Sequence, residues 1–284
     1  MASKKNTHIH DLKQQKGILI LGHRGCRKSD VWENTIPAFQ KAFDAGADGI
    51  EIDVETTADG RLVVINRWFS NKTFGFFPWE RALGAIQAEG RKRGIAVPTF
   101  DQVCTFVSAY PASVFNVEIK SCDRFLCRTA KQVAGRLGFF GITHRVIVSS
   151  FDLNALFTMK YVSPQTETAH LFRLEDRVTD LNDKQTPAYK ITGCINRSGI
   201  KAMLPWVDTL HPEIKLIKSR RPLWARYAQR TGRRVNIWTV DTGNDFLKAL
   251  DIGADIIISD NPEKTLDYRA RLNRRAIDGR KAIA

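Results

Sequence analysis

Short apolar runs alternate with amphipathic stretches along almost the whole chain. Ile18 to Leu21 is the first run. A helical stretch from about Glu33 to Asp44 and a second run from Gly49 to Val54 follow. Leu62 to Ile65 comes after an Asp59-Gly60 turn, and a helical pattern from Phe100 to Ala109 precedes the run Val114 to Ile119. Helix Arg124 to Leu137 leads into Val146-Ile147-Val148, and helix Leu153 to Tyr161 into Thr168 to Phe172. The last units are Trp206 to Leu210, a helix around Leu223 to Arg230, Val235 to Val240, a helix from Asn244 to Ile252, and Ile256-Ile257-Ile258. Repeated strand-then-helix units predict an α/β protein with a parallel sheet inside and helices outside. About eight such units in this length predict a closed (β/α)₈ TIM barrel.

No Pro/Gly/Ser-rich linker divides the chain, so a single barrel domain is expected over residues 17–267. Residues 1–16 read as a flexible polar tail and 268–284 as a basic helix or tail. Arg173 to Pro205 is the longest segment without a strand. It is expected as an elaborated strand-to-helix connection, the kind that shapes a barrel's substrate pocket. Between about Trp68 and Pro98 lies an aromatic-rich stretch (Trp68, Phe69, Phe74, Phe76, Phe77, Trp79), suited to roofing the site or docking on a membrane, with packing over the barrel mouth the expectation.

Composition changes this picture little. Of the 284 residues, 43% are hydrophobic and 26% charged, which is ordinary for a globular protein. No apolar run is long enough to span a bilayer, and the first sixteen residues lack the apolar core of a signal peptide. A cytoplasmic location without stable membrane insertion is the expectation. Five cysteines without a CxxC pair argue against a disulfide framework or a zinc cluster. The net charge of +14 is unusual. It concentrates in the two tails, in Arg91-Lys92-Arg93, and in Lys215, Lys218, Arg220 and Arg221. Such charge can serve nucleic acid, an anionic membrane surface or small phosphorylated ligands. Solvated helix faces and tails account for most of it, and without a zinc-finger, recognition-helix or RNA-binding pattern nucleic acid is not an expected partner.

The candidate chemistry lies at strand ends, where barrel enzymes keep it. His23 and Arg24 follow the first strand, Glu51 and Asp53 close the second, and Glu118 and Lys120 close the run from Val114. Residues i and i+2 of a strand face the same way, so each pair points together. A run such as Gly49 to Val54 is buried on both faces in a barrel, and buried carboxylates need a partner. Three carboxylates on one rim call for a cation between them, and hard oxygen donors favour Mg²⁺ or Ca²⁺. Arg24 and Lys120 would add charge for a phosphate, and His23 is the natural proton carrier or nucleophile.

With these motifs the chain resembles the glycerophosphodiester phosphodiesterase family. The resemblance rests on His23-Arg24-Gly25, Glu33-Asn34-Thr35, Gly46-Ala47-Asp48, Glu51-Ile52-Asp53, Thr57-Ala58-Asp59-Gly60, Glu118-Ile119-Lys120 and Trp238-Thr239-Val240. Gly253-Ala254-Asp255 and Ser259-Asp260-Asn261-Pro262 extend it, so it runs from about Gly17 to Asp267. It implies a (β/α)₈ barrel and metal-dependent cleavage of glycerophosphodiesters. Carried over by position, Glu51, Asp53 and Glu118 would be metal ligands, Arg24 and Lys120 would hold the phosphate, and His23 would be acid/base or nucleophile. Trp238 would line the pocket.

One position departs. The family has His-Asp where this chain has Asn66-Arg67, and asparagine carries no proton at neutral pH. Three readings follow. The first is an ordinary hydrolase using His23 alone, or using His211, in Leu210-His211-Pro212, as substitute base. The second, preferred here, is phosphoryl transfer between two alcohols that makes a sugar phosphodiester, as in the family's agrocinopine synthases, with Asn196, Arg197 and Ser198 on the long loop as sugar contacts. The third is a barrel that binds phosphorylated ligands without turnover.

Overall fold

The computed structural model describes residues 7–27, 30–120, 126–173, 199–217 and 222–281. Eight parallel strands close into a barrel: β1 (Leu19–His23), β2 (Gly49–Thr56), β4 (Val114–Ile119), β5 (Val146–Ser150), β6 (Glu167–Phe172), β7 (Thr209–Pro212), β8 (Arg234–Ile237) and β9 (Ile256–Ser259). The ring is completed because β1 pairs in parallel with both β2 and β9, with His23 opposite Glu51 and Leu19 opposite Ile256. A short strand, β3 (Leu62–Val64), runs antiparallel to the upper end of β2. The expected (β/α)₈ barrel is therefore the fold.

Helices cover the outside: α2 (Ile36–Asp44), α5 (Phe100–Ser108), α6 (Arg128–Phe139), α7 (Leu153–Val162), α8 (Leu223–Thr231), α9 (Gly243–Ile252) and α10 (Pro262–Lys281). One apolar layer between helices and sheet gathers Phe39, Ile52, Phe100, Val117 and Val133, and a second gathers Trp224, Val235, Phe246 and Ile257 on the far side. Strand residues of the other parity point inward. Leu19, Leu21, Val114, Ile147, Ala169 and Ile256 fill the lower barrel. That apolar plug leaves the upper, C-terminal end for polar side chains.

One expectation changes. The polar N-terminal segment is not a tail over residues 7–16: Thr7–Lys16 forms helix α1, which joins the apolar plug through Ile9 and Leu12. Lys13 pairs with Asp255 and Lys16 with Asp48, so cations fix the helix to the barrel's N-terminal end. Only two apolar residues carry that contact, too few for the periodicity to show. The aromatic stretch after β3 forms α3 (Arg67–Phe74) and α4 (Leu83–Arg91), built on a small apolar cluster of Val63, Ile65, Phe74, Ile86 and Val97. Among the described residues, no helix is long and apolar enough to cross a membrane.

Candidate active site

The barrel opens at its C-terminal end into a cavity of about 680 Å³. His23, Arg24, Glu51, Asn66, Glu118, Lys120 and Trp238 all line it. Asp53 lies against these residues, fully buried. Seven of the nine candidate side chains thus line the cavity, and an eighth, Asp53, is buried behind them.

The first turn after β1 is shaped by glycine. A Cβ on Gly22 would stand 2.3 Å from the carbonyl oxygen of Gly25, and Gly25 itself has φ +86°. The turn drops Arg24 into the left-handed region (φ 53°) and aims its backbone N–H at Glu51 Oε2, 2.9 Å away. The Arg24 guanidinium lies 2.8 Å from Asp53 Oδ2 and 2.8 Å from Glu33 Oε1. The loop residue Asn34, also at positive φ (58°), donates to Asp53 Oδ2 at 2.9 Å and accepts from the Asp53 backbone N–H at 3.1 Å.

Glu51, Asp53 and Glu118 offer oxygens that all lie within 4.8 Å of one another. Lys120 Nζ sits 2.6 Å from both Asp53 Oδ1 and Glu118 Oε1. Burial alone would raise the Asp53 pKa, but Arg24 and Lys120 overcome it and hold the carboxyl well below the usual range. Lys120 loses by burial and gains more from Asp53 and Glu118, which keeps it an ammonium ion. Glu51 has no such cation of its own. Burial, reinforced by the Asp53 charge, pushes its pKa up to about 7. Its Oε1 is buried with no hydrogen-bond partner among the described residues. Three buried carboxylates outnumber the two cations beside them, and this excess negative charge with one orphaned oxygen fits a hard divalent ion.

His23 is buried beside them. Its Nδ1 lies 2.6 Å from Asp260 Oδ1, and its Nε2 lies 3.8 Å from Glu51 Oε2. Burial would raise the Asp260 pKa, but the hydrogen bond from His23 and nearby Arg27 bring it down to about 2. A carboxylate at Nδ1 fixes the ring's tautomer and leaves Nε2 facing the cavity.

Asn66 stands at the N-cap of α3. Its Oδ1 accepts from the backbone N–H groups of Trp68 (3.0 Å) and Phe69 (3.2 Å), and its Nδ2 donates to Asp53 Oδ2 at 3.0 Å. The next residue, Arg67, pairs with buried Glu55 at 2.5 Å. Asn66 therefore ties the aromatic helix to the carboxylate cluster, and its acceptor oxygen is spent on the cap.

Trp238 donates from Nε1 to the backbone carbonyl of His211 at 2.8 Å and meets Phe151 edge-on at 5.8 Å, forming one wall. His211 does not reach the rim as a substitute base. It points into the barrel from β7, fully buried, with Nε2 2.7 Å from Asn236 Nδ2. Burial drives its pKa down to about 3, so it stays neutral below the cavity floor. Asn196, Arg197 and Ser198 lie outside the described residues.

Sequence reading assigned no role to Glu33, Asn34 or Asp260, although all three sit in the motifs. Asp260 is 237 positions from His23, so only ring closure of the barrel brings them together. An Asp in the turn after the last strand was the available signal.

The model of the Glycerophosphoryl diester phosphodiesterase family matches residues 23–264. A glycerophosphodiester phosphodiesterase of Bacillus altitudinis is 28% identical over 265 residues, covering 89% of this chain and 98% of the relative. One of Caldanaerobacter subterraneus is 29% identical over 258 residues, covering 88% and 96%. In structure, a glycerophosphodiester phosphodiesterase of Parabacteroides distasonis superposes with a TM-score of 0.72 at 22% identity, covering 91% of this chain and 99% of that one. A phosphodiesterase of Oleispira antarctica, solved with the product sn-glycerol-3-phosphate, gives 0.64 at 20% identity, covering 88% and 96%. These two structures share the fold.

Proposed function

Because the chain belongs to the glycerophosphoryl diester phosphodiesterase family, we propose that it carries out divalent-metal-dependent exchange at a phosphodiester, with a sugar or glycerol hydroxyl as the preferred acceptor. Glu51, Asp53 and Glu118 would hold the cation, Mg²⁺ or Ca²⁺. When bound, it supplies Lewis-acid charge to a phosphoryl oxygen. Arg24 and Lys120 grip the phosphate, and Lys120 acts as a fixed charge because its neighbours keep it protonated. His23 accepts the attacking hydroxyl's proton at Nε2 while Asp260 stabilises the ring that has gained it. As the bond to the departing alcohol breaks, that proton leaves with the alcohol. Trp238 and Phe151 form the wall for the organic part of the substrate.

Asn66 carries the preference for an alcohol acceptor. It stands where the family keeps a second histidine, and its side chain caps a helix instead of moving protons. A site with one proton carrier suits exchange between two alcohols of similar acidity better than activation of water. The names of the relatives favour a second reading, hydrolysis of glycerol- or sugar-phosphodiesters by the same residues.

The test is mass spectrometry of products from glycerophosphodiesters mixed with free sugars, with Mg²⁺ or Ca²⁺ and with EDTA. New sugar phosphodiesters that vanish with EDTA are expected. Glycerol phosphate as the sole product would select the second reading, and no turnover under any condition would leave a binding protein.

A further inference from the structure

Segment 67–79 carries six aromatic residues, two cations and no carboxylate. Part of it faces solvent beside the cavity mouth, with Trp68 42% and Trp79 43% exposed. Trp32, 46% exposed, joins from the loop after β1 through an edge contact with Phe69 at 5.8 Å. Trp68 meets Phe77 edge-on at 5.7 Å, and Phe77 stacks on Trp79 at 4.6 Å. Three of the chain's six tryptophans are thus half-exposed in two ring groups carried by α3, Trp32 with Phe69 and Trp68 with Phe77 and Trp79. Cations are interleaved with the rings. Arg81 lies over Phe76 at 5.5 Å and Lys72 is exposed on α3, while Arg67, over Trp79 at 5.0 Å, has its charge paired with Glu55.

Leaving three indoles in water is unfavourable unless something covers them. Tryptophan with flanking Arg and Lys suits the boundary between lipid headgroups and acyl chains, where an apolar body and a polar tip are both satisfied. A net charge of +14 adds attraction to an anionic surface. The rings suit nucleic acid less well. Trp79 is flanked by Phe77 and the Arg67 guanidinium, so the faces a base would stack on are taken.

We propose that this patch docks the protein on an anionic lipid bilayer with the cavity mouth at the surface. A phosphodiester at the lipid interface then reaches His23 without crossing bulk water. That last consequence rests on the catalytic reading above; the docking itself does not.

The experiment is co-sedimentation of the full chain with phosphatidylserine–phosphatidylcholine vesicles, phosphatidylcholine vesicles, and anionic vesicles plus a single-stranded oligonucleotide. Binding to the anionic vesicles, weakened by salt and accompanied by a blue shift of tryptophan emission, is expected. The double variant Trp32→Ala/Trp79→Ala should lower partitioning at least about tenfold, with turnover of a soluble phosphodiester and the thermal midpoint unchanged. Should that variant misfold, Lys72→Glu provides the second arm and should weaken binding to anionic vesicles alone. Absence of vesicle binding, equal binding by both variants, or displacement by the oligonucleotide would overturn the proposal. Binding is read without turnover, so an inactive protein that still binds vesicles would implicate the catalytic reading instead.

Discussion

His23, at the end of β1, and Asn66, at the N-cap of α3, reach the same carboxylate cluster, and their side chains are employed in opposite ways. At the end of β1 the imidazole commits one nitrogen to Asp260, 2.6 Å away, and turns the other to the cavity. Beyond β3 the amide commits its oxygen to two backbone N–H groups of α3 and its nitrogen to Asp53. One side is braced so that a titratable atom remains free for chemistry. The other has no titratable atom, and its polar groups serve architecture. Position in a motif therefore did not determine role; the number of hydrogen bonds already satisfied did.

The comparison breaks most sharply at the His23 side. His23→Gln should cut turnover by roughly 10²- to 10⁴-fold, the usual worth of one acid/base group, with the fold intact. Asp260→Asn should cost up to roughly 10⁴-fold by permitting the wrong tautomer, with a larger effect on kcat than on KM. Steady-state kinetics with a soluble phosphodiester measures both. Equal loss from Asn66→Ala, with Asp53 still in place, would mean the two sides are alike after all.

A smaller effect is expected at the Asn66 side. Asn66→Ala removes the α3 cap and should lower stability by about 1 kcal/mol, seen in the denaturation midpoint. Asn66→His should raise hydrolysis by supplying a second proton carrier while also weakening the cap. An unchanged hydrolysis rate in that variant would show that the missing histidine is not limiting.

An effect confined to acid pH concerns histidines that neither side uses. Burial lowers the pKa of His170 to about 4 and of His211 to about 3, from 6.5. Below pH 6.5 the unfolded chain takes up these protons while the folded protein does not. Stability is therefore full above 6.5 and falls as pH drops towards the folded values. Each histidine contributes roughly 1.4 kcal/mol per pH unit within that window. Acid unfolding of His211→Asn against the parent measures it, and an unaltered acid limb would contradict the assignment.

Much of this was legible in the chain. Val114 to Ile119 has the same bounds as pattern and as strand, and the i, i+2 spacing of Glu51 and Asp53 placed both carboxylates inside the barrel. Strong local periodicity made those elements visible. Helix α1 was not visible, because two apolar residues cannot announce a helix that depends on the barrel's underside. Expected strand Val235 to Val240 ends as a regular strand at Ile237, beyond which Trp238 keeps a single parallel bridge to Glu213 while its side chain lines the cavity. His211 read as a rim residue because the expected strand ended at Leu210, whereas β7 runs on to Pro212. Its partner Asn236 comes from the adjacent strand, and no local signal could supply that pairing. The cap made by Asn66 was hidden for a similar reason, since the helix it starts has few apolar positions.

The central claim is that a site with one proton carrier passes its phosphoryl group to an alcohol in preference to water. The direct measurement is product analysis in ¹⁸O-labelled water with a glycerophosphodiester, a sugar acceptor and Mg²⁺. The account predicts sugar phosphodiester as the main product, free of ¹⁸O. Rapid formation of an ¹⁸O-labelled phosphomonoester with no diester would contradict it.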